Sequence, residues 1–373
     1  MNLIFAFIYG AICIIAGALI SMGFCYRKKN KTQELNYVKD KLKLKTLFET
    51  PKRELTIKAY EQDTQKIISF IEDSIIPLVV SKEEEITDNI TKNNEVFFKR
   101  NSQRWKEGFI KLEMLREISY QAGVDFQQQF IKYPDYVTDP LLGVLMRQHA
   151  NACRIIGEII VLLKNGYPDG AIARWRTLFE ILINCMVIDK YGKDAAEDYI
   201  KHGVVKSVEG MQEYQKTAKD MNLEPFETNE LEEALTLKEN LTDGEEHFHW
   251  ARKYTKCSKM EKLREHVGME RWSHNYKLAS KFIHADYYDL KTLFAMAEAK
   301  NDLLLAGASN SGLVEPASMA AVTFSHITAI FITTYIKDKK SSLDFSDNLI
   351  YLGLLNSYTN DIGEAFIKCQ NDS

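Results

Sequence analysis

The chain has 373 residues, 45% hydrophobic and 27% charged, with a formal net charge of −4. That length suits two or three units of roughly 100–200 residues each, the composition is ordinary for a globular protein, and the charge excludes bulk attraction to nucleic acid. The six cysteines, at 13, 25, 153, 185, 257 and 369, contain no C-x-x-C pair, which excludes a disulfide framework and suits a reducing compartment. With only 18 glycines and 7 prolines among long periodic runs, the sequence predicts an all-α fold.

Leu3 to Tyr26 carries no charged residue. Roughly 20 apolar residues span the hydrocarbon core of a bilayer, so this run predicts a single transmembrane helix over residues 1–26. It lacks the basic n-region and small-residue cleavage site of a signal peptide. Arg27, Lys28, Lys29 and Lys31 follow at once. Positive charge collects on the cytoplasmic side, so the expected topology is N-terminus out, with a cytosolic multi-helix bundle after residue 27. The pairs Ala6/Gly10 and Gly17/Ser21 have the spacing that packs two such helices, and a homo-oligomer is one expected assembly.

Residues 27–132 read as a basic stalk and helical arm. Arg27 to Lys66 holds 12 Lys/Arg against 6 Asp/Glu, a segment either held against anionic lipid or simply solvated. Ile67–Val80 has helical spacing and is expected to end near Pro77. Residues 81–95 are polar and read as a loop or a frayed helix start, and Val96–Phe130 as one long amphipathic helix.

The main helical domain is expected over 133–337, beginning near Tyr133-Pro134-Asp135. Thr138 or Asp139 before Pro140 marks a helix start, and Lys164-Asn165-Gly166 marks its end. One face of that helix carries Arg147, Asn151, Arg154 and Glu158, and the other is apolar apart from His149. Tyr167–Tyr191 follows, apolar nearly all round except for Arg174, Arg176, Thr177, Glu180 and Asn184. A helix apolar on every side is buried, and its charges need partners. An Arg176–Glu180 pair at i,i+4 is the weaker orientation, so Glu180 is expected to reach Arg147 or Arg154 on the neighbouring helix. Glu246-x-x-His249 has the spacing of carboxylate-bridged di-iron bundles, but those need it twice and it occurs once; no metal or cofactor is expected. In residues 270–290 Tyr276, Ser280 and His284 fall at i, i+4, i+8. A phenol, a hydroxyl and an imidazole in line suit either acid–base chemistry or a hydrogen-bonded seam to the Arg/Glu helix. Residues 307–315 are loop-like, Pro316–Tyr335 reads as a buried apolar helix, and 338–373 as a C-terminal helix and tail.

The Arg174-Trp175-Arg176-x-Leu178-x-Glu180 helix together with the Tyr276-x-x-x-Ser280-x-x-x-His284 helix resembles a bacterial family, domain of unknown function 5677, over roughly residues 135–335. The membrane then implied is the bacterial inner membrane. More distantly, a helical domain with a buried Arg/Glu helix and a late His is similar to the HEPN superfamily, whose signature is an Arg, four to six residues, then His. None of the eight histidines is so preceded; the nearest case is Lys277, with six residues before His284. That resemblance implies a membrane-anchored, metal-independent ribonuclease of a phage-defence or toxin-type system. In it His284 would act as acid or base, oriented by Tyr276 and Ser280, with Lys277, Arg147, Arg174, Arg176 and Glu180 around RNA phosphate. Phosphate-loop, G-x-S-x-G and H-E-x-x-H motifs are absent. The alternative is therefore a non-enzymatic, membrane-tethered sensor or scaffold that binds a partner or small ligand.

Overall fold

The computed structural model describes residues 64–131, 138–245, 247–284, 293–300, 304–335 and 345–372. The chain is all-α: among the described residues there is no strand, and no helix is long and apolar enough to cross a membrane. The run Leu3–Tyr26, the stalk to residue 63, the unit start at Tyr133–Asp135 and Glu246 lie outside the described residues. Two compact units divide between Asn93 and Asn94.

In the first unit, α1 (Thr64–Phe70) passes through a π-helical turn, Ile71–Ile75, into α2 (Ile76–Val80). Pro77 does not end the helix. It sits in the first turn of α2, where the wider π turn before it relieves the ring clash and the lost N–H. The polar stretch from 81 to 95 is also not a loop, because α3 runs Glu83–Arg104. Glu83, Glu84 and Glu85 occupy its first turn, where negative charge opposes the helix dipole.

In the second unit the run after Val96 is two helices rather than one. α4 spans Lys106–Ile131, and the break falls at Trp105, which is fully buried and donates its indole N–H to Asn310 O at 3.0 Å. The core then follows in chain order. α5 (Pro140–Lys164) is capped by Asp139, whose carboxylate accepts the Leu141 and Leu142 amides. It stops where the Gly166 amide bonds Leu163 O and the Tyr167 amide bonds Leu162 O. This Schellman closure needs the left-handed residue that Gly166 supplies at φ +78°. α6 is Pro168–Tyr191 and α7 Lys193–Thr217, joined at Gly192. α8 (Thr228–Thr242) opens with a Glu227/Glu230 capping box. Then come α9 (Arg252–Thr255), α10 (Met260–His266), a 3-10 turn at Glu270–Trp272 and α11 (Ser273–Ile283). After a 3-10 turn at Phe294–Met296, α12 (Val314–Ile332) and α13 (Ser346–Asn371) complete the unit.

α12 packs against α4, α5, α6 and α13, while α6 packs against α5, α7, α10, α11 and α12. Trp175, Leu178, Phe179, Leu182 and Ile183 of α6 are all at most 1% exposed. At roughly 1.5–3 kcal/mol for each large apolar side chain buried, this face fixes α6 and aims its remaining polar residues at defined neighbours. His149, on the apolar face of α5, is a core residue. It donates to the Ser119 carbonyl, stacks on Phe331 at 5.0 Å, and burial lowers it to about 4.

The loop before α12 is tied down rather than loose. Asp169 of α6 accepts the Phe294 and Ala295 amides, and Ser309 and Ser311 both donate to Ala295 O. Gly312, at φ +75°, leaves no room for a Cβ, which would lie 1.9 Å from Phe294 O.

Candidate functional site

Helices α6 and α11 meet, and their polar residues match across the seam. The Tyr276 hydroxyl donates to Glu180 Oε1 at 2.6 Å, and Arg176 Nε donates to the same oxygen at 3.0 Å. The Arg176 guanidinium also lies over the Tyr276 ring, 4.8 Å from its centroid. Burial first, and then the bond to Glu180, push the Tyr276 phenol up to about 12; it is a neutral hydrogen-bond donor at any physiological pH. Burial works to lower the Arg176 guanidinium, but Tyr276 and Glu180 outweigh it and hold the group above its ordinary value. The i,i+4 pair within α6 therefore does form. Its weak orientation is offset by the phenol, which gives the carboxylate a second donor.

The expectation that Glu180 would reach Arg147 or Arg154 is not met. Arg147 is exposed and donates to its own helix at Gly143 O, 2.9 Å. Arg154 pairs with Glu158 and donates to Asn151 at 3.0 Å. The bridge between α5 and α6 runs instead from Arg174 to Glu158, so that one carboxylate takes two arginines. The physical reason is register. Arg174 lies near the α5–α6 turn opposite Glu158, whereas Arg176 faces α11.

Of the other residues expected at the site, Ser280 donates back to Tyr276 O at 2.9 Å within α11, and Lys277 is exposed. His284 is the exposed C-terminal cap of α11. Eight residues of helix put it about 12 Å along the axis from Tyr276 at 1.5 Å per residue. The geometry thus assembles Arg176, Glu180 and Tyr276, and leaves Arg147, Arg174, Lys277 and His284 apart from them. Tyr199 of α7, which Asn184 of this α6 face and Gln148 both act to lower, is held above its ordinary value chiefly by burial.

Residues 142–301 match the family of unknown function DUF5677. The resemblance read from the two motifs is borne out, and every candidate site residue lies within the DUF5677 segment. No curated protein and no solved structure matches the chain.

Two members of the DUF5677 segment belong to this cluster without having been singled out by motif. Arg264 of α10 is 2% exposed, and its guanidinium lies over Tyr276, 5.2 Å from the ring centroid. Among the described residues it has no hydrogen-bond or ion-pair partner, and its Nε is buried without an acceptor. The Trp272 indole N–H is likewise buried and unpartnered; its ring lies 6.0 Å from both Trp175 and Phe179. A cation–π contact contributes at most about 2 kcal/mol when desolvated, whereas taking a lone ion out of water costs several. The pattern Met260, Leu263, Arg264, Val267 is the signal that could have found Arg264: it stands on the inward side of an amphipathic turn.

Proposed function

We propose that the chain is a membrane-tethered sensor or scaffold. The charge-free run Leu3–Tyr26 anchors it in the bacterial inner membrane with the N-terminus out, and the helical domain binds a partner or small ligand in the cytoplasm. Small-residue pairs in the anchor support self-association there. The observation that carries the non-enzymatic part is that the ionic groups of the α6–α11 seam are engaged with one another. Arg176 and Tyr276 both bond Glu180, and a phenol held near 12 is no base.

The test is fractionation of the full chain followed by incubation of the purified protein with RNA. The chain is expected in the membrane fraction, resisting alkaline extraction, and the RNA is expected to stay intact. RNA cleavage that disappears in His284→Ala would overturn this reading. That outcome defines a second one, a metal-independent ribonuclease, which is favoured by the exposed position of His284 on the same helix as Lys277, Ser280 and Tyr276.

A further inference from the structure

We propose that Arg264 is the floor of an oxyanion site that takes the phosphate group of a small ligand. For its biological use this rests on the sensor reading above; its chemistry comes from Arg264. A guanidinium stays charged at all relevant pH and presents five N–H donors in a fixed fork. Arg264 is 2% exposed, with Nε sealed from water and without an acceptor. Among the described residues the face of Tyr276 is its one contact of electrostatic character, and such a contact returns less than the desolvation of a lone ion costs. Buried polar groups in native proteins have partners, so a guanidinium 2% exposed whose Nε is buried without an acceptor points to an anion that arrives from outside.

Charge and donor count say what kind of anion. Arg176 and Arg264 both sit over Tyr276, and the carboxylate of this cluster, Glu180, already accepts from Arg176 and Tyr276. Two cations against one carboxylate leave a surplus positive charge. The Trp272 N–H is a second unpartnered buried donor in the same aromatic layer, where Phe179 packs on Trp272 and on Tyr276, each at 6.0 Å. A guanidinium fork with up to five N–H donors offers more than the two oxygens of a carboxylate use well. A phosphate, with three or four oxygens, meets them in charge-assisted bonds. Burial is graded along the cluster: Glu180 and Arg176 keep 33% and 21% of their side chains in water, and Arg264 almost none.

The experiment uses the full chain and inorganic phosphate, with acetate as the carboxylate arm, at constant ionic strength. Melting temperature and calorimetric binding are the two readouts. Wild type is expected to melt higher as phosphate rises, with acetate less effective. Arg264→Met is expected to melt above wild type in phosphate-free buffer, since an apolar side chain replaces an unpaired buried charge, and to show no response to phosphate. Arg264→Lys keeps the charge without the fork, and its phosphate affinity is expected to fall about tenfold. Trp272→Phe is expected to weaken phosphate roughly fivefold, the loss of one neutral hydrogen bond.

Three results would overturn the proposal: a wild-type melting temperature indifferent to phosphate, a phosphate response that survives in Arg264→Met, or Arg264→Lys binding as tightly as wild type. Acetate as effective as phosphate would overturn the phosphate assignment. A chain indifferent to phosphate that still fractionates with membranes and leaves RNA intact removes the anion site alone. RNA cleavage with an intact phosphate response removes the sensor reading alone.

Discussion

Helix α6 handles charge in opposite ways on its two sides. Toward α5, Arg174 meets Glu158, which also takes Arg154; both arginines are paired with the one carboxylate, and water reaches all three groups and eases the excess positive charge. Toward α10 and α11, Phe179 packs on both Trp272 and Tyr276, and the buried Arg264 lies over Tyr276 with, among the described residues, no carboxylate of its own. The first seam is complete as it stands. The second is packed like a core yet holds an uncompensated cation, an arrangement that lowers stability unless something else supplies the negative charge. Two seams on one helix therefore serve different ends, one holding α5 in place and the other keeping a charge ready.

The strongest way to break the comparison is to remove what the second seam packs on. Trp175 is fully buried, stacks near Phe179 and Trp272, and donates to Thr323 Oγ1 at 2.9 Å. Trp175→Ala is expected to cost about 3–5 kcal/mol, read as a lower denaturant midpoint with near-ultraviolet dichroism reduced. A loss under 1 kcal/mol would mean the aromatic seam is not the packed layer described.

Acid sharpens the contrast. The far face of α5 carries His149, held at about 4 against an ordinary 6.5 by burial. Between those values the unfolded chain binds a proton that the folded chain does not. The stability that neutral His149 contributes is therefore full above pH 6.5 and lost as pH falls toward 4. One such group accounts for up to roughly 3 kcal/mol. Subtracting the stability–pH curve of His149→Gln from that of wild type should give a difference confined to this window. Tyr276, near 12, stays neutral throughout it, so the second seam's phenol is untouched by the same titration.

Smaller changes compare the seams directly. Glu158→Gln leaves Arg174 and Arg154 facing each other without a carboxylate. Because Glu158 is 35% and Arg174 28% exposed, water screens the loss, and about 1 kcal/mol is expected. Tyr276→Phe removes one of the two donors to Glu180 and should cost about 1 kcal/mol as well, but only Glu158→Gln should soften further as salt is lowered, since it alone leaves two like charges adjacent. The same salt response in both variants would erase the distinction. Least affected should be Arg147→Ala: the side chain is exposed and bonded within its own turn, and a change within about 0.5 kcal/mol is expected on melting.

Local chemistry made much of the helical frame legible. Asp139-Pro140 at one end of α5 and Asn165-Gly166 at the other are a cap and a left-handed stop, and both act through backbone atoms a few residues away. The all-round apolarity of α6 announced its burial, and the periodicity of 345–370 announced α13. The i,i+4 spacing of Arg176 and Glu180 was visible too, but their orientation argued for Arg147 or Arg154 as the partner, and the pair forms all the same. At Pro77 a π turn lets the helix run on to Val80, and at residues 81–95, where a loop and a helix start were both open, three glutamates in a first turn mark the helix start.

Which charge faces which helix is another matter. The sequence spacing put Arg174 and Arg176 two residues apart on α6, but the packing of α5 and α11 on either side of that helix decides that the first meets Glu158 and the second meets Tyr276. Arg264 is ordinary in composition and becomes unusual only because α10, seven residues long, is pressed against α6 with its inward position occupied by a guanidinium. Secondary structure follows from interactions within a turn or two. The pairing or isolation of a buried charge depends on residues brought together from far along the chain, and only the folded arrangement sets those distances.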